Sequence, residues 1–299
     1  MPAPDGYAWW YVDALSDDGR HALTIIAFVG SVFSPYYAFA RRRGPADPCE
    51  HVAINVALYG DGVRRWTMSE RGSRTLQRDA RMLRIGPSAL AWERDGLCIS
   101  LDEVAAPWPR RVLGEIRIHG ALPGLAPHAL DAAGRHRWQP LLPHARVVVD
   151  LHAPAARWSG TGYVDSNWGD EPLAHAFESW QWSRTALPGG DTVVHYDTRR
   201  RGGAMQRLAL KIAAGGAVQP LTPHEATPLP RSAWGIARDA HDGATLRSTL
   251  EDGPFYARSL LATPHEGHLL DTVHESLSLT RFESRWVQAM LLFRMPRRG

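Results

Sequence analysis

The sequence has little lysine and little cysteine. Lys211 is the only lysine, and the 34 basic residues exceed the 31 acidic ones by a net charge of only +3. So small an excess argues against nucleic-acid binding. Cys49 and Cys98 lie outside any motif. Two such cysteines exclude a disulfide framework and are typical of a reducing compartment, where each thiol packs as a small apolar group.

Familiar catalytic signatures are also missing. The chain has fourteen histidines but no HExxH motif, and the closest pair, His265 and His268, flanks a Glu-Gly turn. Neither a GxSxG nucleophile elbow nor a phosphate loop occurs, and the pair Gly160 and Gly162 lacks the third glycine of a dinucleotide site. We therefore expect no metal and no nucleotide cofactor.

The N-terminal region contains no predicted signal peptide or membrane span. Residues 1–5 lack a basic n-region, and glycine, serine and proline interrupt the apolar stretch 22–40. We predict a strand, a turn and a second strand for this stretch. It ends in Arg41, Arg42 and Arg43, which leaves two interpretations open: a solvated turn, or contact with an anionic membrane surface.

Short apolar segments separated by turn residues predict an all-β protein built of antiparallel sandwiches or barrels. One series of strands runs from residue 7 to 168, with a proline-rich loop predicted at 120–143. Residues 171–182 fit either a short helix or a strand, and a second series follows, ending in a predicted strand at 286–293. We predict two β domains, 1–170 and 171–299, with a functional site near their interface.

The sequence GTGYVDSNWGDEP, residues 160–172, is the densest polar segment. On a strand, Tyr163, Asp165 and Asn167 share one face. That face is either a buried hydrogen-bond network or a reaction site. A desolvated Asp165 would keep its proton near neutral pH, because burial raises the pKa of a carboxyl group, and could protonate an alkene. Asp13, which alternates with Trp9 and Tyr11, is a competing acid.

His136 and Trp138 form a second alternating pair within the predicted loop. In an extended backbone they would share a face, although a loop histidine is usually solvated. If His136 lay close to Asp165, its imidazole could return the proton or activate an incoming water.

Long runs of the sequence resemble the carotenoid 1,2-hydratases of purple photosynthetic and related bacteria, also called hydroxyneurosporene synthases. The resemblance follows nearly the whole chain in order. It implies two lipocalin-like β domains and a cofactor-independent enzyme that adds water to the terminal double bond of an acyclic carotene, such as neurosporene or lycopene. The runs that carry it are 9–44, 51–60, 65–72, 131–140, 160–173 and 180–184.

The resemblance also implies which residues act. Asp165 occupies the position of the acid, and Tyr163, His136 and Trp138 occupy the other implicated positions. The partners it implies are the carotene, water and a membrane surface, with the protein in the bacterial cytoplasm and peripherally attached to the inner, photosynthetic membrane. A polyene cyclase and a non-catalytic isoprenoid carrier remain open on this fold. We predict a substrate cavity lined by Trp10, Tyr11, Asn167, Trp168, Trp180 and Trp182.

Overall fold

Two large antiparallel sheets make up most of this computed structural model, which describes residues 1–223 and 225–298. The residues form two compact units. Residues 1–129, 133–172 and 288–298 belong to the first, and residues 130–132 and 173–287 belong to the second. The C-terminal residues therefore pack with the first unit, and the domain boundary near residue 170 stays a prediction.

The first sheet has 12 strands. In chain order, β1 to β12 are Tyr7–Ser16, Ala22–Val29, Val52–Tyr59, Arg65–Arg71, Leu76–Arg78, Met82–Ile85, Ser88–Glu93, Gly96–Val104, Arg111–His119, His128–Ala129, His136–Ala153 and Ala155–Gly169. Their order across the sheet is β4-β3-β2-β1-β12-β11-β9-β8-β7-β6-β5, with β10 paired to β11.

The second sheet has 7 strands, and two more strands form a small ribbon. In chain order, β13 to β21 are Phe177–Ala186, Thr192–Arg200, Met205–Ile212, Val218–Pro220, Thr227–Leu229, Arg238–Ala240, Thr245–Asp252, Tyr256–His265 and His268–Ser278. The larger sheet has the order β16-β15-β14-β13-β21-β20-β19, and β17 pairs with β18.

One apolar core fills the inside of the first sheet. It joins Ile54 and Val56 of β3 to Leu83 of β6 and Ile99 of β8, which lie far apart in the strand order. The sheet must therefore curl to bring these side chains into one cluster. Val12 and Val164, on the neighbouring strands β1 and β12, belong to the same cluster. The predicted all-β class with lipocalin-like antiparallel sheets is confirmed.

The described chain also contains two 3₁₀ turns, Pro48–Glu50 and Ser73–Thr75, and four short α-helices: α1 (Pro35–Arg41), α2 (Leu173–Ala176), α3 (Leu279–Phe282) and α4 (Arg285–Arg294). Two predicted strands were wrong, because 35–41 and 285–294 are helical. The Ser34-Pro35 pair in the sequence is typical of a helix start. In the structure Ser34 accepts from the Tyr36 and Tyr37 amides, and Pro35 is the first helical residue. The segment 171–182 contains both α2 and the start of β13.

The proline-rich region predicted as a loop at 120–143 is partly strand, because β11 begins at His136. Irregular register between Pro140 and Ala145 lets this strand accommodate its prolines. The strand predicted at 233–238 was also wrong, as β18 starts only at Arg238. Among the described residues, no helix is long and apolar enough to cross a membrane.

Candidate active site

Two neighbouring strands of the first sheet bring the predicted polar residues onto one buried face. In the antiparallel pairing of β1 with β12, Asp13 lies opposite Tyr163, Tyr11 opposite Asp165, and Trp9 opposite Asn167. Directly opposed residues point to the same side of a sheet, so all six side chains share a face. Each of them is buried. This face is the reverse of the one that carries Val12 and Val164 into the apolar core.

The third strand of the face, β11, orients the carboxyl group of Asp165. Trp138 lies opposite Asn167, and its indole Nε1 donates to Asp165 Oδ2 over 2.8 Å. Trp138 is fully buried and Asp165 is 3% exposed. The indole N–H therefore fixes one carboxyl oxygen of Asp165 with a neutral donor.

His136 lies at the start of β11, in a line of hydrogen-bonding groups that includes two residues the sequence reasoning missed. Its Nδ1 is 2.9 Å from Tyr7 Oη, and its Nε2 is 3.3 Å from Glu171 Oε1. An ionised carboxylate only accepts, so Nε2 carries the ring proton and Nδ1 accepts from the tyrosine hydroxyl. Arg135 Nη1, 3.0 Å from Glu171 Oε2, holds the carboxylate from the other side.

Gly169 makes the contact between Tyr7 and His136 possible. It lies opposite both residues on the flanking strands. A Cβ atom there would stand 2.6 Å from Tyr7 Cε1 and 2.7 Å from His136 Nδ1, closer than real Cβ contacts. At Gly162 a Cβ would meet Val147 Cγ2 at 2.3 Å. Close packing between neighbouring strands thus explains both glycines.

His128 is a further imidazole beside the face that sequence reasoning did not single out. It pairs with Trp138 across β10 and β11, and the two ring centroids are 5.6 Å apart. Burial lowers the pKa of His128 below its ordinary value. The ring is therefore neutral at neutral pH and can accept a proton.

Glu70 shows how burial on this face affects the pKa of a carboxyl group. It lies on β4 in the cross-strand row Trp9, Phe28, Ala53 and Glu70, so it belongs to the same side of the sheet as Asp165. Burial raises the pKa of Glu70, although His51 Nδ1 and Arg297 Nη1 both lie 2.8 Å from its Oε1. Desolvation on this face outweighs even basic partners.

The predicted substrate-binding residues fall into three places. Tyr11 and Asn167 lie on the face of Asp165. Trp10 and Trp168 point to the opposite side of the sheet, where they line a cavity of about 340 Å³ together with Arg78. Trp180 and Trp182 belong to the second unit, where both are buried on β13.

Tyr7 continues the alternation of Trp9, Tyr11 and Asp13, so the period of β1 could have identified it. Glu171 had no such signal, because it follows Asp170 in a polar turn and reads as one more exposed carboxylate. Within residues 1–223 and 225–298, no three His, Cys, Asp or Glu side chains are arranged to hold a metal ion.

Comparison with known proteins identifies the family of this chain. The model of the carotenoid hydratase CrtC family matches residues 25–299. An acyclic carotenoid 1,2-hydratase from Thiocapsa roseopersicina is 52% identical over 99% of this chain and 74% of its own length. One from Rubrivivax gelatinosus is 46% identical with the same coverage.

A solved structure shares the fold at low sequence identity. Kievitone hydratase from Nectria haematococca aligns with a TM-score of 0.56, covering 95% of this chain and 92% of that one, at 12% identity. At such an identity the likeness concerns the fold alone.

Proposed function

The chain belongs to the carotenoid hydratase CrtC family, and on that premise we propose that it adds water to the 1,2-double bond of acyclic carotenoids, with Asp165 as the acid. The observation that carries this proposal is the buried Asp165 carboxyl group, fixed by the Trp138 indole N–H over 2.8 Å. Burial favours the protonated form of a carboxyl group, because removal from water disfavours the charged form. Oδ2 accepts from the indole, and we place the transferable proton on Oδ1.

The proposed reaction begins with protonation of the alkene. The π electrons of the terminal double bond take the proton from Asp165 Oδ1 onto the less substituted carbon, which leaves a tertiary cation beside it. The rings of Tyr11 and Tyr163, 6.4 Å apart and edge to face, flank Asp165 in the strand register. Each well-placed, desolvated ring would stabilise the cation by about 2 kcal/mol.

Water then adds to the cation and loses a proton, which restores the balance of charge and yields a tertiary alcohol. We propose that the Tyr7 hydroxyl takes this proton while it passes its own proton to His136 Nδ1, to which it donates a hydrogen bond. Glu171 stabilises the resulting imidazolium, since its carboxylate lies at Nε2. A final transfer back to Asp165 closes the cycle without a cofactor, and neurosporene and lycopene are the proposed substrates.

We further propose that the remaining predicted residues hold the polyene. Tyr11 and Asn167, which lie on the face of Asp165, would contact its reacting end. The contacts predicted for Trp10, Trp168, Trp180 and Trp182 stay predictions. So apolar a substrate has to be drawn from lipid. The protein is therefore proposed to sit in the bacterial cytoplasm as a peripheral protein of the inner, photosynthetic membrane.

Isotopic water tests the reaction. The purified protein is incubated with lycopene or neurosporene in detergent, in water enriched in oxygen-18 and deuterium. Hydration predicts a tertiary alcohol with oxygen-18 on the oxygenated carbon and deuterium on its neighbour. A cyclised product without oxygen would instead identify a cyclase, and bound but unchanged carotenoid would identify a carrier.

A second test separates the roles proposed for His136. His136→Ala should lower kcat more than it raises KM, because the imidazole acts on water and not on the polyene. A rise in KM alone would mean that His136 only shapes the cavity.

A further inference from the structure

Helix α4 exposes apolar side chains that a surface helix normally buries. Met290, Leu292 and Phe293 are all exposed, and Phe293 keeps 74% of its surface in contact with solvent. Leu291, on the other side of the helix, is buried in the first unit. The helix thus has one apolar side that packs and another that does not. An exposed cluster of this kind marks an interaction site.

A second exposed aromatic side chain lies at the end of α1. Phe39 is 47% exposed. The guanidinium carbon of Arg43 lies 4.0 Å from the centroid of its ring, and that of Arg42 lies 5.7 Å away. These cation–π contacts keep positive charge beside an apolar surface.

One hydrogen bond holds the C-terminal end of α1 next to α4. Arg42 Nη1 donates to Gln288 Oε1 on α4 over 2.8 Å, and both residues belong to the first unit. We call this surface the arginine–aromatic patch, defined by Phe39, Arg42, Arg43, Met290, Leu292 and Phe293.

The sequence around the patch is purely basic. Residues 31–46 contain three arginines, residues 285–298 contain four, and neither segment contains an aspartate or a glutamate. Exposed apolar side chains flanked by arginines, with no acidic residue between them, are the composition of helices that lie in the interface of anionic membranes.

We propose that the arginine–aromatic patch docks the protein on an anionic lipid bilayer, with Phe293, Leu292 and Met290 inserted at the level of the lipid headgroups. This inference rests on the proposed function, because a carotenoid substrate has to be taken from lipid. Charge complementarity selects the bilayer over a second copy of the chain. A symmetric dimer through this patch would place its arginines against one another.

Vesicle binding tests the patch. The full chain is mixed with phosphatidylcholine vesicles, either neutral or containing about 30% phosphatidylglycerol, and the bound fraction is measured by flotation. The wild-type protein should bind the anionic vesicles and should be released by salt. The variant M290S/L292S/F293S should bind at least about tenfold more weakly, because the apolar insertion is lost.

The matched control replaces exposed apolar side chains elsewhere in the first unit. Trp108 and Leu122 are both exposed, and W108S/L122S should bind vesicles like the wild type. Equal binding by the patch variant and the wild type would overturn the proposal, as would wild-type protein that ignores anionic vesicles. A dimer that the patch substitutions convert to a monomer, with vesicle binding unchanged, would assign the patch to self-association and overturn it too.

Activity measured in two formats separates this proposal from the proposed function. The patch variant should turn over carotenoid in detergent micelles as the wild type does, but lose most of its turnover of vesicle-embedded carotenoid. Wild-type protein that binds anionic vesicles yet gives no hydrated product in micelles would contradict the proposed function and leave the patch supported.

Discussion

In the first unit the buried Asp165 accepts from a neutral donor, whereas Glu275 and Asp197 of the second unit are buried beside basic side chains, as Glu70 is in the first. Asp165 accepts from the Trp138 indole. In the second unit, Glu275 Oε1 lies 2.6 Å from Arg258 Nη2, and Asp197 Oδ2 lies 2.9 Å from His241 Nε2. A basic partner stabilises the ionised form of a carboxyl group more strongly than a neutral donor does. The contrast distinguishes the proposed acid, Asp165, from the two ion pairs of the second unit.

The largest expected effect comes from exchanging one carboxyl group in each region for an amide. Asp165→Asn should reduce kcat by on the order of 10²–10⁴-fold, the usual share of a general acid, with little change in melting temperature. Asp197→Asn should lower the free energy of unfolding by about 1–3 kcal/mol, because it weakens a buried pair, while turnover per folded molecule is kept. Kinetics and urea unfolding of both variants check this, and a fully active Asp165→Asn enzyme would remove the acid from the mechanism.

The second unit should also show a pH-dependent stability that His274 controls. Burial lowers the pKa of His274 to about 4, and its Nε2 donates to the Asp239 carbonyl oxygen over 2.9 Å. The unfolded chain takes up this proton below about pH 6.5 and the folded chain only below about pH 4. The free energy of unfolding should therefore fall as the pH drops through that window, by about 3 kcal/mol in total.

His274→Gln provides the reference for that slope, because its amide can still donate to Asp239 but does not titrate. Urea unfolding of both proteins at several pH values gives the difference, in which the other titrating groups cancel. Identical slopes for the two proteins would show that His274 is protonated equally in both states.

Replacing Trp138 by phenylalanine tests what the neutral donor contributes to the function of Asp165. The ring and its packing remain, but Asp165 Oδ2 loses the indole donor. A buried hydrogen bond of this kind is worth about 1–3 kcal/mol, so kcat should fall by about 5- to 100-fold. Trp92→Phe, on β7, is the matched control and should keep its turnover. An equal loss in both variants would point to aromatic packing and not to the N–H group.

Glu171→Gln should have the smallest effect. It keeps the shape at Nε2 of His136 but removes the negative charge, so we expect a kcat lower by about threefold to tenfold with KM unchanged. Asp170→Asn, at the neighbouring and more exposed carboxylate, should behave as the wild type. A change in KM in place of kcat would assign Glu171 to substrate binding.

Strand periodicity predicted the part of the site that depends on alternation. Tyr163, Asp165 and Asn167 could be placed on one face because a strand has a period of two. The partner strands could not be found in this way, since pairing between β1, β11 and β12 depends on residues far apart in sequence. Pro140 and Pro143 made β11 resemble a loop, and only the irregular register shows how a strand can hold them.

The other errors in the predicted secondary structure come from short apolar segments, whose composition fits a strand and a helix equally well. Residues 286–293 fit a strand as well as a helix by composition, and only the packing of Leu291 together with the exposure of Phe293 reveals the helix. The role of Trp138 was hidden for a different reason. The sequence gives an aromatic ring but not the direction of its N–H group, and that direction decides what it does to Asp165.

The hydrogen bonds from Tyr7 through His136 to Glu171 affect how the buried face exchanges protons with bulk water. His136 is fully buried, but the Glu171 side chain is 18% exposed to solvent. A proton can therefore pass between bulk water and the imidazole along hydrogen bonds, while the sheet itself stays closed. If a polyene excluded water from the rest of this face, His136 could still exchange its proton with bulk water along these hydrogen bonds.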